Sequence, residues 1–452
     1  MFGCAWLTYL LPPLFSAHEY NSSRHYDAQF KSLLQGRWDV PRSETGAEAF
    51  EVNGRFYLYF GPAPAFLRIL AAEAVTKFPW KAGFVSLFLA AALGLWAAVR
   101  VGEEVTGRDA GPFEVGALGA LALAVASRPS VYHEAIAWGG TFAVLAALHA
   151  LRYVRSPSLW RLAVLGTCAA LAALAREIWL LATVALLVGL AVSALVDGRK
   201  GARAPARAKR WLGLPDPGRP AAHAALALAM VGLLVLGLAA IHRAKFGAWG
   251  FVPPIARHLV FHDPERLARI GGGMFHLANL PSGAFNYFSP TSVKIARSFP
   301  WVGPTPEAHL FPGTRIDGVE HLFGLPYVGA ALVLLGAVGA AAARRMPAVR
   351  PVLLIAAALA LSSASILLFV GYCGRYLYDF YPPLATAGAA GLAALQARPR
   401  PRLRALFRGL TAVNLAFGLS MVFVVQRDLG HYERRAQLER LTARIDALTR
   451  PR

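Results

Sequence analysis

Ala221 to Ile241 reads AAHAALALAMVGLLVLGLAAI, a run with no Asp, Glu, Lys or Arg. As a helix it is about 30 Å long, the thickness of a bilayer's hydrocarbon core. Blocks of this kind recur along the chain and account for a composition that is 56% hydrophobic and 16% charged over 452 residues. A soluble chain of this length would scatter charge through them, and lipid leaves an open strand edge unsatisfied. The sequence therefore predicts an all-α polytopic membrane protein.

A formal charge of +21 would point to nucleic acid on a soluble domain. Here most of it sits in short loops between apolar blocks: Arg152, Arg155 and Arg161; Arg199, Lys200, Arg203, Arg207, Lys209 and Arg210; Arg344, Arg345 and Arg350; Arg398, Arg400, Arg402, Arg404 and Arg408. That is the positive-inside pattern, so these loops are read as cytoplasmic and in contact with anionic membrane lipids, with no nucleic-acid partner. Cys4, Cys168 and Cys373 lie in or beside apolar blocks without a partner at metal or redox spacing, so neither a disulfide framework nor a zinc site is indicated.

With the basic loops inside, eleven spans follow, at about 2–17, 82–101, 113–127, 134–153, 160–175, 178–196, 221–241, 322–343, 351–371, 376–396 and 406–426. The first lacks a positively charged start and is read as a retained span rather than a cleaved signal peptide. Residues 1–426 then form a single transmembrane bundle with two long outer loops, about 18–81 and 243–320. FGPAPAFLRILAAEAV in the first loop is expected to lie along the membrane interface. The tail, 427–452, spaces Leu438, Leu441, Ile445 and Leu448 as an amphipathic surface helix.

Polar groups held at the outer ends of spans are informative, because a charge near mid-helix costs ~2.5–3.5 kcal/mol to insert. The first outer loop runs HEYNSSRHYDAQFKSLLQGRWDV from His18 and ends GRFYLYFGPAPAFL at Leu67. It gathers Glu19, His25, Asp27, Asp39, Glu44, Glu48 and Glu51. Asp27 reads either as a solvated loop carboxylate or helix cap, or as a general base, which needs only a positioned carboxylate of suitable pKa; Glu19 is the alternative base. RPSVYHE, Arg128 to Glu134, offers Arg128 to an anionic headgroup and His133 with Glu134 to a divalent ion or sugar hydroxyl; alternatively Arg128 snorkels and pairs with Glu134. In GYCGRYLYDFYPP, Arg375 and Asp379 are four apart. They form a structural ion pair, or Asp379 orients Arg375 toward a phosphate.

This arrangement resembles the C-type fold of membrane glycosyltransferases, the GT-C superfamily, whose members use polyprenyl-phosphate sugars. HYDAQFKSLLQGRWDV, NGRFYLYFGPAPAFLRI, RPSVYHEAIAWG and GRYLYDFYPPL are similar to bacterial membrane proteins grouped with those transferases. The resemblance implies an enzyme of the bacterial inner membrane whose active site faces the periplasm. It implies a lipid-linked donor, a glycan, lipid or protein acceptor, and inversion at the anomeric carbon. Carried onto this chain, it makes Asp27 the acceptor-activating carboxylate and Arg375 the cation that neutralises the leaving lipid phosphate. Arg128 and Tyr132 then join Arg375 and Asp379 at the donor, and His133 and Glu134 hold a divalent metal, Mg or Mn. The lone Asp27 beside His25 departs from the paired acids of the family pattern. A flippase for a lipid-linked sugar and a ligase-like transferase of preassembled glycans remain the competing classes.

Overall fold

The computed structural model describes residues 24–71, 79–126, 130–200, 219–297, 299, 301–305, 307–398, 400–429, 439–440 and 442–447. Its longer helices are α1 (His25–Leu34), α2 (Pro79–Thr106), α3 (Pro112–Ala126), α4 (Val131–Arg155), α5 (Leu159–Ala175) and α6 (Trp179–Lys200). They continue with α7 (Pro220–Phe246), α8 (Leu280–Phe288), α9 (Ala330–Ala342), α10 (Arg350–Ile366), α11 (Tyr381–Ala397) and α12 (Pro401–Leu429). Each expected span from the second to the eleventh coincides with a helix, and the first lies outside the described residues. Among the described residues six helices, within α2, α4, α6, α7, α10 and α12, are long and apolar enough to cross a membrane; α3, α5 and α9 are shorter apolar helices. Eleven full spans were expected. The eighth is instead interrupted at Gly329, and the tenth begins as a 3-10 helix, Gly374–Phe380, before α11 starts with prolines in its first turn.

α4 is the innermost helix, with 89% of its apolar window buried, whereas α7 buries 22% and is apolar all round, as a lipid-facing helix must be. α2 and α5 pack along α4, α6 along α7, α9 along α11 and α12 along α3. Small residues allow the close approach: a Cβ on Gly391 of α11 would strike the Leu335 carbonyl of α9. Ser130 and Ser158 cap α4 and α5 by accepting from the His133 and Arg161 N–H groups. Gly247, at φ 77°, ends α7. Alternating helix directions collect the starts of α2, α4, α6, α9 and α11 and the ends of α5, α7 and α10 at one end of the bundle. At the other end Arg152 and Arg155 pair with Glu104.

The first long loop departs from the all-helix expectation. Asn53 and Gly54 both take positive φ, 52° and 72°, and turn the chain between β1 (Ala49–Val52) and β2 (Arg55–Leu58), with Val52 opposite Arg55. Asn-Gly suits that turn because both central residues need the left-handed region. FGPAPAFLRI forms a short helix, Ala63–Leu67, that runs into a 3-10 turn, Arg68–Ala71. One face is packed inward, with Ala63, Ala65 and Arg68 buried, while Phe66 and Ile69 on the segment stay exposed; a Cβ on Gly61 would strike the Leu174 carbonyl. The second long loop carries an antiparallel pair, β3 (Val293–Ile295) with β4 (Val302–Pro304), and then β5 (Gly318–Glu320). β5 runs parallel to β6 (Gly371–Cys373), which ties that loop to the chain just ahead of Arg375. Of the expected tail helix, 439–440 and 442–447 are helical, while Leu438, Leu441 and Leu448 lie outside the described residues.

Candidate functional site: a buried charge cluster at one end of the bundle

Three groups of charge meet where α4 begins, α5 ends and the 3-10 segment 374–380 passes. In the first, Arg68 bridges two carboxylates. Its Nε donates to Asp27 Oδ1 at 2.7 Å, its Nη1 to Glu134 Oε1 at 2.6 Å and its Nη2 to Glu134 Oε2 at 3.0 Å. Ser86 of α2 donates to the same Glu134 Oε1 and accepts from Trp138 Nε1 at 2.8 Å. The three charged residues are 2–3% exposed, so each must be neutralised by the others rather than by water. Glu134, in the first turn of α4, also gains from the positive end of that helix. Asp27 Oδ2 has no partner among the described residues. Burial pushes the Asp27 carboxyl up to about 6, against the pull of the Arg68 charge.

The second group surrounds Arg375. Its guanidinium lies 4.4 Å from the Tyr132 ring centroid and 5.3 Å from that of Tyr376, and Nη1 donates to Glu320 Oε2 at 2.6 Å. Arg375 Nε is buried without a partner among the described residues. Tyr132 also hydrogen-bonds Glu48, whose Oε2 accepts from the Tyr59 hydroxyl at 3.4 Å. Burial raises the Glu48 carboxyl above its ordinary value, opposed by the Tyr132 hydrogen bond, the Arg375 charge and the Tyr59 hydroxyl. Its side chain keeps 27% exposure, whereas that of Asp27 keeps 3%. Among the described first-loop carboxylates, Glu48 is thus the one that both meets the Arg375 environment and can be reached.

In the third group Arg176, the residue that caps the end of α5, holds Asp379 bidentately at 2.8 and 2.7 Å. Its guanidinium lies 5.3 Å from the Tyr376 ring centroid, so Tyr376 contacts both arginines. This corrects both expectations for Arg375 and Asp379. In an α-helix residues four apart lie about 40° apart around the axis, but at three residues per turn the separation is about 120°, so the two leave a common face. Asp379, 0% exposed, turns to Arg176, and Arg375 turns to Glu320.

Asp27, Tyr132, Glu134, Arg375 and Asp379 are therefore brought to one end of the bundle; Glu19 and Arg128 lie outside the described residues. Arg68, Arg176, Glu48 and Tyr59 complete the cluster; Glu48 was named from sequence only among the first-loop acids, without a role, and the other three were given none.

The expected metal pair does not fit a metal. His133 and Glu134 are adjacent on a helix and point about 100° apart. His133 Nδ1 is 2.8 Å from Ser130 Oγ, and both Glu134 oxygens already accept from Arg68. A divalent ion about 4 Å from that guanidinium would meet a repulsion of about 8 kcal/mol at an effective dielectric constant of ~20. Among the described residues no group of three or more His, Cys, Asp or Glu is placed to hold a metal ion.

No model of a known protein family matches the chain, and no curated protein sequence does so either. Among solved structures it is similar to two crystal structures of the Archaeoglobus fulgidus oligosaccharyltransferase. With the apo form it shares 15% identity at a TM-score of 0.51, over 97% of this chain and 58% of that one. With the complex with Zn and sulfate it shares 13% identity at a TM-score of 0.52, over 97% and 56%. The chain thus spans less than three-fifths of the length of these neighbours. At such identity the likeness is one of architecture: the chain has the helical membrane fold of an archaeal oligosaccharyltransferase.

Proposed function

We propose that this chain is a membrane glycosyltransferase that moves a sugar from a polyprenyl-phosphate donor to a glycan, lipid or protein acceptor at the outer face of a bacterial inner membrane. The observation that carries the proposal is the Tyr132 side chain, which touches a cation, Arg375, and a carboxylate, Glu48, at the same end of an oligosaccharyltransferase-like bundle. The acceptor oxygen attacks the anomeric carbon from the face opposite the phosphate, so configuration inverts. The anomeric carbon–oxygen bond breaks, the electron pair leaves with polyprenyl phosphate, and the Arg375 guanidinium offsets the charge that develops there. The acceptor proton passes to the carboxylate, for which the geometry favours Glu48. Asp27, whose Oδ2 lacks a partner among the described residues, is the alternative base.

The test is release of free polyprenyl phosphate from a panel of polyprenyl-phosphate sugars by purified protein. Glu48→Gln is expected to lower turnover at least 100-fold, as loss of a general base does, while Asp27→Asn lowers it less. The reverse ranking would make Asp27 the base. Arg375→Ala is expected to abolish release while the protein remains folded. Donor binding without release by the wild type would sink the transferase reading in favour of transport. A second reading, transfer of a preassembled glycan, draws on the fold neighbours being oligosaccharyltransferases; release only from donors that carry an oligosaccharide would select it.

A further inference from the structure

We propose that Arg68 is the built-in cation of this site, bridging Asp27 to Glu134, the carboxylate that the sequence offered to a divalent metal, and that the site binds no such metal. The two carboxylates come from α1 and α4, 107 residues apart in the chain, and a single guanidinium spans them with three charge-assisted hydrogen bonds of 2.6–3.0 Å. Ser86 takes a further lone pair of Glu134 Oε1, so that oxygen is shared between Arg68 and Ser86. Arg68 is not a surface arginine that has folded in. It is 3% exposed, it follows a helix whose entry is wedged against the Leu174 carbonyl at Gly61, and its 3-10 turn packs on α1. A metal would have to displace a fixed positive charge with no solvent to receive it.

The guanidinium also does mechanically what a metal would do. It fixes the first loop, through Asp27, to the N-terminal end of α4, where Tyr132 carries Glu48 and Arg375. The proposal concerns the site of the transfer proposed above, but its test reads metal binding and melting rather than transfer, so the two fail separately.

The experiment is Mn2+ binding by electron paramagnetic resonance on the purified full chain, beside thermal unfolding with EDTA or Mn2+. The wild type is expected to hold no stoichiometric Mn2+ and to melt at the same temperature in both. Arg68→Ala, which frees the carboxylates, is expected to gain one Mn2+ per chain with a rise in melting temperature, and Arg68→Ala with Glu134→Gln to lose it again. Stoichiometric Mn2+ in the wild type that disappears in Glu134→Gln would overturn the proposal, as would a folded Arg68→Ala protein that gains none. Should Arg68→Ala not fold, the wild-type measurement decides alone: bound Mn2+ or melting that EDTA lowers overturns the proposal, and their absence supports it.

Discussion

Asp27 makes its burial measurable through pH. Its carboxyl titrates near 6 in the folded chain against an ordinary 3.8, so between about pH 4 and 6 the folded state binds the extra proton. Stability therefore falls as pH rises through that window, by at most about 3 kcal/mol for this one group. Glu48 is raised as well and tilts the profile the same way, so the comparison that isolates Asp27 is with Asp27→Asn. Melting temperature from pH 4 to 7 should decline more steeply in the wild type than in the variant, and parallel curves would mean that Asp27 is ionised throughout. Asp27 stood out in the sequence as a carboxylate shortly after a span, with a loop carboxylate or helix cap as the alternative, but its pairing with Arg68 did not. Arg68 was not legible: it sits in the apolar run AFLRIL, and its partners are 41 and 66 residues away. Arg176 was hidden in the same way, at a hairpin tip 203 residues from Asp379. Long-range ion pairs of this kind leave no periodicity for a sequence reading to find.

Among the elements, the apolar blocks gave the helices, since a run of about 20 residues without charge has one viable structure in lipid. The 3-10 segment 374–380 was read as helix from its composition, yet it is the element that aims Arg375 and Asp379 apart. Its position depends on Tyr378, which lies across Gly94 of α2 and Gly140 of α4. A Cβ at Gly140 would sit 2.7 Å from Tyr378 Cε1. Gly140→Ala should therefore cost about 0–2 kcal/mol: overpacking of about 1–3 kcal/mol, less the ~1 kcal/mol that Ala gains over Gly in a helix. In a Tyr378→Ala background the ring is gone and only the helix gain remains, so the same substitution should be neutral or stabilising. Equal costs in the two backgrounds, measured by thermal unfolding, would remove Tyr378 as the contact that sets this segment. The hairpin turned at Asn53-Gly54 did carry a readable signal, but the expectation that membrane chains are helical throughout concealed it in a loop outside the spans.

At the scale of the whole molecule the charges divide between two ends. Arg152 and Arg155 reach Glu104 at the end opposite Arg375, and the alternation of helices puts Arg344, Arg345 and the arginines from Arg398 to Arg408 there too. The positive-inside rule then predicts that this end is cytoplasmic and that the charge cluster, with both long loops, faces outside. Single cysteines can test it in a variant whose Cys4, Cys168 and Cys373 are replaced by serine. Ser156→Cys lies in the exposed turn between α4 and α5, and Lys294→Cys on the exposed face of β3 in the second long loop. A membrane-impermeant maleimide added to intact spheroplasts should label Lys294→Cys and leave Ser156→Cys unlabelled until the membrane is opened. Reverse labelling would put Arg375, Tyr132 and Glu48 on the cytoplasmic side, where a donor presented from the outer leaflet cannot reach them, and the proposed reaction would fail with the topology. Labelling as predicted would place the cluster in the compartment from which both donor and acceptor must arrive.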